Sequence, residues 1–269
     1  MHSTSQQASQ QTASEELLIL KKQRARLIDD QLAGQYLQQQ IRPATPWDAQ
    51  GIKFEHCVVP ALYLTGDSLD YFALPDGRIL LYLADVSGSG TAAALISMLL
   101  KSIVQEFIIV NDVAPTTLSI TPASVLAYLN QRLLSYGSDR HVTLICAIID
   151  TKESLLCWSV AGHLPSPVLY SEGHTAFLSG KGQPVGLFEQ AKYSNEQMPL
   201  PHAFSLSFFS DGIFDVLPEK GLVSSEAALP KLMHAVQGDY AEAVKRLGLA
   251  NCSNMPDDIA MLVLSRNLA

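Results

Sequence analysis

The sequence predicts an α+β fold, with antiparallel sheets sandwiched by helices and one further helix at the N-terminus. Three observations lead there. Apolar residues make up 48% of the 269-residue chain and charged residues only 16%, enough for a sizeable core. Strand-like runs come in pairs joined by tight turns: Leu69–Leu74 with Arg78–Ala84 around Pro75-Asp76-Gly77, and His141–Asp150 with Leu155–Ala161 around Thr151-Lys152-Glu153-Ser154. Helix-like runs lie in separate stretches, which argues against a doubly wound parallel sheet.

In chain order, residues 1–14 (MHSTSQQASQQTAS) are polar and low in complexity and read as a disordered segment or linker. The opening resembles the middle of a longer protein. Residues 15–42 read as a linker helix. Leu18, Ala25, Ile28, Leu32 and Tyr36 share one face, Gly34 interrupts it, and Pro43 and Pro46 end it. Two readings of this helix stay open: packing on its own domain, or a dimerising coiled coil over 15–41. Residues 43–269 read as one domain. Ile52–Leu64 is strand-like, and the first hairpin follows it. Thr91–Val110 is a long apolar helix, and Pro122–Ser135 is a helix with proline in its first turn. After the second hairpin come short strands at Val168–Ser171 and His174–Leu178, turning at Glu172-Gly173. Ala203–Ser210 and Ile259–Ser265 are the last strands, with helices over 226–236 and 239–248 between them.

The net charge is −8, and Lys and Arg are scattered, so the concentrated basic footprint of a nucleic-acid binder is missing. A membrane-surface role is disfavoured for the same reason. No apolar run approaches the roughly 20 residues of a spanning helix, and the N-terminus has no signal-peptide core. Cys57, Cys146, Cys157 and Cys252 show no CxxC spacing and read as small packed residues. The expectation is a cytoplasmic protein.

Four acidic turns each abut an apolar run: Thr65-Gly66-Asp67, Ala84-Asp85-Val86-Ser87-Gly88-Ser89-Gly90, Ser210-Asp211-Gly212-Ile213 and Pro256-Asp257-Asp258-Ile259. Taken singly, each is an ordinary Asp turn or a helix N-cap. Taken together, they would leave buried charge at strand ends without compensation. Hard divalent cations prefer such oxygen ligands, and two of them activate water against a phosphoryl group, so the residues point to a metal-dependent phosphate-ester hydrolase. GxGxxG and the GK[ST] of a P-loop are absent. His163, after Gly162, reads better as a structural turn residue than as a ligand or acid–base group. Ser87 and Ser89 have no His–Asp relay nearby in sequence.

In order, these segments resemble the PPM-type metal-dependent protein serine/threonine phosphatases, in their bacterial SpoIIE-like/RsbU-like branch. The resemblance runs from about Gln31 to Leu264 and adds three blocks to the four acidic ones: Val142-Thr143-Leu144, Ala161-Gly162-His163-Leu164-Pro165 and Gly182-Gln183-Pro184-Val185-Gly186. Any block alone is weak; seven in order are specific. The resemblance implies an αββα sandwich with two Mn²⁺ or Mg²⁺ ions at one end. Carried over by residue, Asp85 bridges both ions, Asp67 and the Val86 carbonyl serve one, and Asp211 and Asp257 serve the other. Asp67, Asp85 and Asp211 are thus the catalytic set, with Asp258 behind them and a one-residue ambiguity between it and Asp257. Thr65 replaces a family glycine, Ser89 a usual His, and Ala260 a usual Thr.

The resemblance further implies a phosphorylated STAS-type anti-sigma factor antagonist as substrate, and an upstream receiver or sensor domain, as in the output domain of a response regulator. A degenerate adaptor binding a sigma or anti-sigma partner without catalysis is the alternative. A two-metal hydrolase of small phosphoesters is a third reading.

Overall fold

The computed structural model describes residues 2–113, 120–252 and 255–268, with side chains from residue 14 onward. The chain divides into two compact units, one ending at Ile41 and the other beginning at Arg42.

The first unit is a single helix, α1 (His2–Ile41). It takes in residues 2–14, a stretch expected from its polar, low-complexity composition to be a disordered segment or linker. That stretch contains neither Pro nor Gly, and its Gln and Ala are good helix formers. The helix also runs through Gly34, a residue that costs about 1 kcal/mol relative to Ala in a helix interior. Leu18, Leu27, Leu32, Tyr36 and Leu37 remain exposed along it.

The second unit holds two antiparallel sheets. Its strands are β1 (Trp47–Ala49), β2 (Ile52–Val59), β3 (Ser68–Ala73), β4 (Ile79–Val86), β5 (Val142–Asp150), β6 (Leu155–Ala161), β7 (Val168–Ser171), β8 (His174–Phe177), β9 (Glu196–Pro199), β10 (Phe204–Phe209) and β11 (Ile259–Arg266). One sheet runs β1-β2-β11-β10-β7-β8, the other β3-β4-β5-β6-β9. Helices α2 (Gly90–Val113) and α3 (Pro122–Ser135) lie in sequence between β4 and β5; α4 (Leu222–Ala235) and α5 (Tyr240–Leu247) lie between β10 and β11.

Strand alternation sorts the apolar residues into three clusters, the signature of an αββα sandwich. Ile79, Leu81 and Leu83 of β4 join Phe204, Leu206, Phe208, Leu262 and Leu264 in the core between the sheets. The intervening Leu80, Tyr82, Ala84 and Val86 pack with Leu100, Ile103 and Val104 of α2 and Leu126 and Leu129 of α3. Phe209, Met261 and Val263 pack with Leu229 and Met233 of α4 and Leu247 of α5. The central strands are therefore buried on both faces, which is why they read as continuous apolar runs.

By length and composition α2 could cross a membrane, a correction to the expectation that no run came near that length. Here its Leu100, Ile103 and Val104 lie in the core. Helix α3 starts as its sequence suggests. Thr121 caps it through a reciprocal pair, Ser124 N to Thr121 Oγ1 at 3.2 Å and Thr121 N to Ser124 Oγ at 2.9 Å, and Pro122 opens the first turn.

Register orients the two ends of the sandwich. Ile79 pairs with Ile149 and Val86 with Val142; Ser207 pairs with Val168, and Ile259 with Val59. The short hairpin turns at 50–51, 74–78, 151–154 and 172–173 thus fall at one end. The segments 60–67, 87–89, 162–167 and 256–258 fall at the other.

Candidate metal centre

The period-two alternation aims the acidic residues. Asp67 shares the phase of Leu69 and Tyr71, Asp85 that of Leu81 and Leu83, and Asp258 that of Ala260 and Leu262, all facing the space between the sheets. Each stands just past the apolar part of its strand. Residues from four remote parts of the chain thus come to one end.

Asp67 is buried, and its Oδ2 accepts a hydrogen bond from Ser210 Oγ at 2.7 Å. Asp85 is the penultimate residue of β4, opposite Thr143, and is half-buried. Asp211 opens a 3₁₀ turn, Asp211–Val216, and is exposed. Asp257 is exposed and Asp258 buried. Asp258 is committed to backbone, accepting from Ala61 N and Gly66 N at 2.8 Å each. It ties the loop before Asp67 to the start of β11, while Asp257 faces solvent. The two neighbours thus differ in burial and in bonding.

Two glycines permit the convergence. A Cβ on Gly212 would stand 2.0 Å from the Asp258 carbonyl oxygen, so only glycine lets the β10 end lie this close to the β11 start. A Cβ on Gly66 would stand 3.0 Å from the Val86 oxygen. The Val86 carbonyl therefore faces the residue next to Asp67.

The electrostatics are those of like charges held together. Burial, then Asp85, pushes the Asp67 carboxyl well above the usual carboxylate range; the Ser210 bond opposes this. Burial, followed by Asp211, Asp257 and Asp258, raises Asp85 to about 7. Asp211, exposed at the surface yet partly desolvated by its neighbours, is raised by that desolvation and then by Asp257. Arg42 is a cation that acts on Asp67 and Asp258, and its own pKa is lowered by burial. Among the described residues, no three His, Cys, Asp or Glu side chains close into a coordinating cluster. The donor set nevertheless fits a hard divalent cation. It consists of oxygens only, and its repulsion and desolvation are what a bound cation would relieve.

His163 is buried and structural. Its Nε2 lies 2.9 Å from the Phe209 carbonyl, so Nε2 carries the hydrogen, and Nδ1 faces Thr143 Oγ1 at 3.5 Å. It follows β6 of one sheet and bonds to β10 of the other, just behind Asp211. Burial lowers it to about 4. Of the replaced family positions, Thr65 is buried, Ser89 is exposed, and Ala260 is wholly buried in the inter-sheet core. Sequence reasoning missed Ser210, although it directly precedes Asp211, and it missed Arg42.

The sequence model described as Stage II sporulation protein E (SpoIIE) matches residues 75–267. The chain belongs to the SpoIIE family. The phosphoserine phosphatase RsbU of Bacillus subtilis is 26% identical over 218 residues, covering 78% of this chain and 62% of RsbU. The chain spans between 37% and 62% of the length of the curated relatives it matches. Among solved structures, the SiaA-PP2C domain of Pseudomonas aeruginosa superposes with a TM-score of 0.71 at 20% identity, covering 90% of this chain and 97% of that one. RsbX in complex with magnesium superposes with a TM-score of 0.63 at 17% identity, covering 81% and 97%. The SpoIIE-family domain described here thus has the PP2C fold.

Proposed function

We propose that this SpoIIE-family domain is a metal-dependent protein serine/threonine phosphatase of bacterial signalling. The observation that carries the reading is the delivery of Asp67, Asp85, Asp211 and Asp257 to one end of the sandwich, with burial and mutual repulsion raising Asp67, Asp85 and Asp211. The phosphoserine phosphatase named among the relatives and the magnesium-bound structural neighbour support it.

Asp67 and the Val86 carbonyl would hold one Mn²⁺ or Mg²⁺, Asp211 and Asp257 a second, with Asp85 common to both. Such ions polarise a phosphoryl group and make bound water nucleophilic near neutral pH. The chain's own part is to aim the ligands. Ser210 orients Asp67 by its 2.7 Å bond, and Asp258 fixes the preceding loop.

The substrate proposed is a phosphoserine or phosphothreonine on a STAS-type anti-sigma factor antagonist in the cytoplasm. An upstream receiver or sensor domain would govern the activity, and α1 would form a homodimer through 15–41. The exposed Leu18, Leu27, Leu32 and Leu37 on α1 support that last point.

The test is Mn²⁺-dependent hydrolysis of p-nitrophenyl phosphate and of a phosphorylated antagonist, with Asp85→Asn alongside. Turnover that needs Mn²⁺ and vanishes in the variant is expected. Turnover that survives Asp85→Asn would overturn the ligand assignment.

A further inference from the structure

The segment just after Asp85 is clamped by a side chain outside the acidic set. Every polar group of Ser87 is committed to residues 140 and 141. Its amide donates to the His141 carbonyl at 2.9 Å, its hydroxyl accepts from His141 N at 3.1 Å, and its carbonyl accepts from Arg140 Nη1 at 2.8 Å. The guanidinium lies against the bare α-carbon of Gly88. A Cβ there would stand 1.8 Å from Nη1, and Gly88 has a φ of +80°. Arg140 has a competing anion in Asp139, but at 3.8 Å from a side chain 95% exposed that contact is too long and too wet to direct it. Arg140 Nε is buried and makes no hydrogen bond.

A trans peptide sets its N–H and C=O in opposite directions. The Ser87 amide bound to His141 therefore aims the Val86 carbonyl the other way, toward Gly66 and Asp67, and Arg140 locks the next peptide in the same segment. We propose that Arg140 is a positioning residue for the metal centre. It presents the Val86 oxygen and Asp85 in binding orientation before an ion arrives, without touching ion or substrate. This rests on the metal-site reading above.

The test is isothermal titration of Mn²⁺ into the metal-free full chain, for wild type, Arg140→Met, Arg140→Lys, Gly88→Ala and Asp85→Asn, with thermal melting of each. Outer-shell partners of metal ligands typically set affinity by about 10–100-fold. Arg140→Met is expected to weaken Mn²⁺ binding about tenfold, to melt as wild type without metal, and to recover most of its kcat at saturating Mn²⁺. Arg140→Lys, which keeps one donor for Ser87, restores part of the affinity. Gly88→Ala, which displaces the guanidinium from the other side, gives the same weakening. Wild-type affinity in Arg140→Met, with binding lost in Asp85→Asn, overturns the positioning role and leaves the metal site standing. Wild-type affinity in Asp85→Asn overturns the metal site itself. A metal-free melting loss in Arg140→Met that Lys does not rescue makes the clamp merely structural and also overturns the proposal.

Discussion

His163 should make this domain sensitive to mild acid, independently of its carboxylates. Above pH 6.5 the imidazole is neutral in both folded and unfolded chains and adds no pH dependence. As pH falls below 6.5 the unfolded chain takes up a proton that the buried ring refuses, because its folded pKa is about 4. Stability is lost from pH 6.5 down to about 4, below which both states are protonated. Each unit of that gap is worth about 1.4 kcal/mol, so the full loss is about 3 kcal/mol, of which about 2 kcal/mol has gone by pH 5. His56, also lowered to about 4 by burial, then by Arg42, acts in the same direction. Asp85, raised to about 7, acts in the opposite one. A variant is therefore needed to isolate the ring. His163→Gln places an amide donor near the Nε2 position, keeping the bond to the Phe209 carbonyl without a titrating group. Urea unfolding of metal-free protein at pH 7.5 and pH 5.0 gives the comparison, with equal m-values required. Wild type should lose about 2 kcal/mol more than His163→Gln between the two pH values. Equal losses would refute the claim that folding holds this ring neutral.

Asp70 is buried on the α2 side of β3 and pairs with Lys101 Nζ at 2.6 Å. Lys101→Met strands that carboxylate and should cost about 2–3 kcal/mol in urea unfolding, with Asp70→Asn in the same chain restoring part of it. Asp258→Asn replaces one acceptor oxygen with a donor facing a backbone N–H, and should cost about 1–3 kcal/mol of stability. Asp257→Asn should leave melting unchanged and abolish Mn²⁺-dependent turnover; the reverse pattern would exchange the roles of the two residues. Gly212→Ala forces the β10 and β11 ends apart and should cost about 1–3 kcal/mol with loss of turnover, read by thermal melting and rate.

Much of the fold was legible because both-face burial and tight turns write strong local signals. Helix α3 and strands β6 and β7 fall on the ranges the sequence suggested. The three-residue β1 and the polar Glu196–Pro199 strand β9 were not read, since each is an edge strand whose pairing, not composition, makes it a strand. Helix α4 begins at Leu222, four residues before the expected start, and in its first turn Ser224 bonds back to the Lys220 and Gly221 carbonyls. At the site, the aspartates were legible as turn residues. Their supports were not. Ser210 meets Asp67 across 143 positions, and Arg140 meets Ser87 across 53. Such pairings are set by strand register, which one sequence does not display.

The two ends of the sandwich differ in what they tolerate. The hairpin turns at 50–51, 74–78, 151–154 and 172–173 lie a full strand length from the aspartates, so a fluorophore or an affinity tag placed there should leave the β4, β10 and β11 registers intact. A single residue inserted within β4 would turn Asp85 from the inter-sheet face toward the helices. Length polymorphism in natural homologues should accordingly collect at the hairpin end and be excluded from the strands that deliver the aspartates.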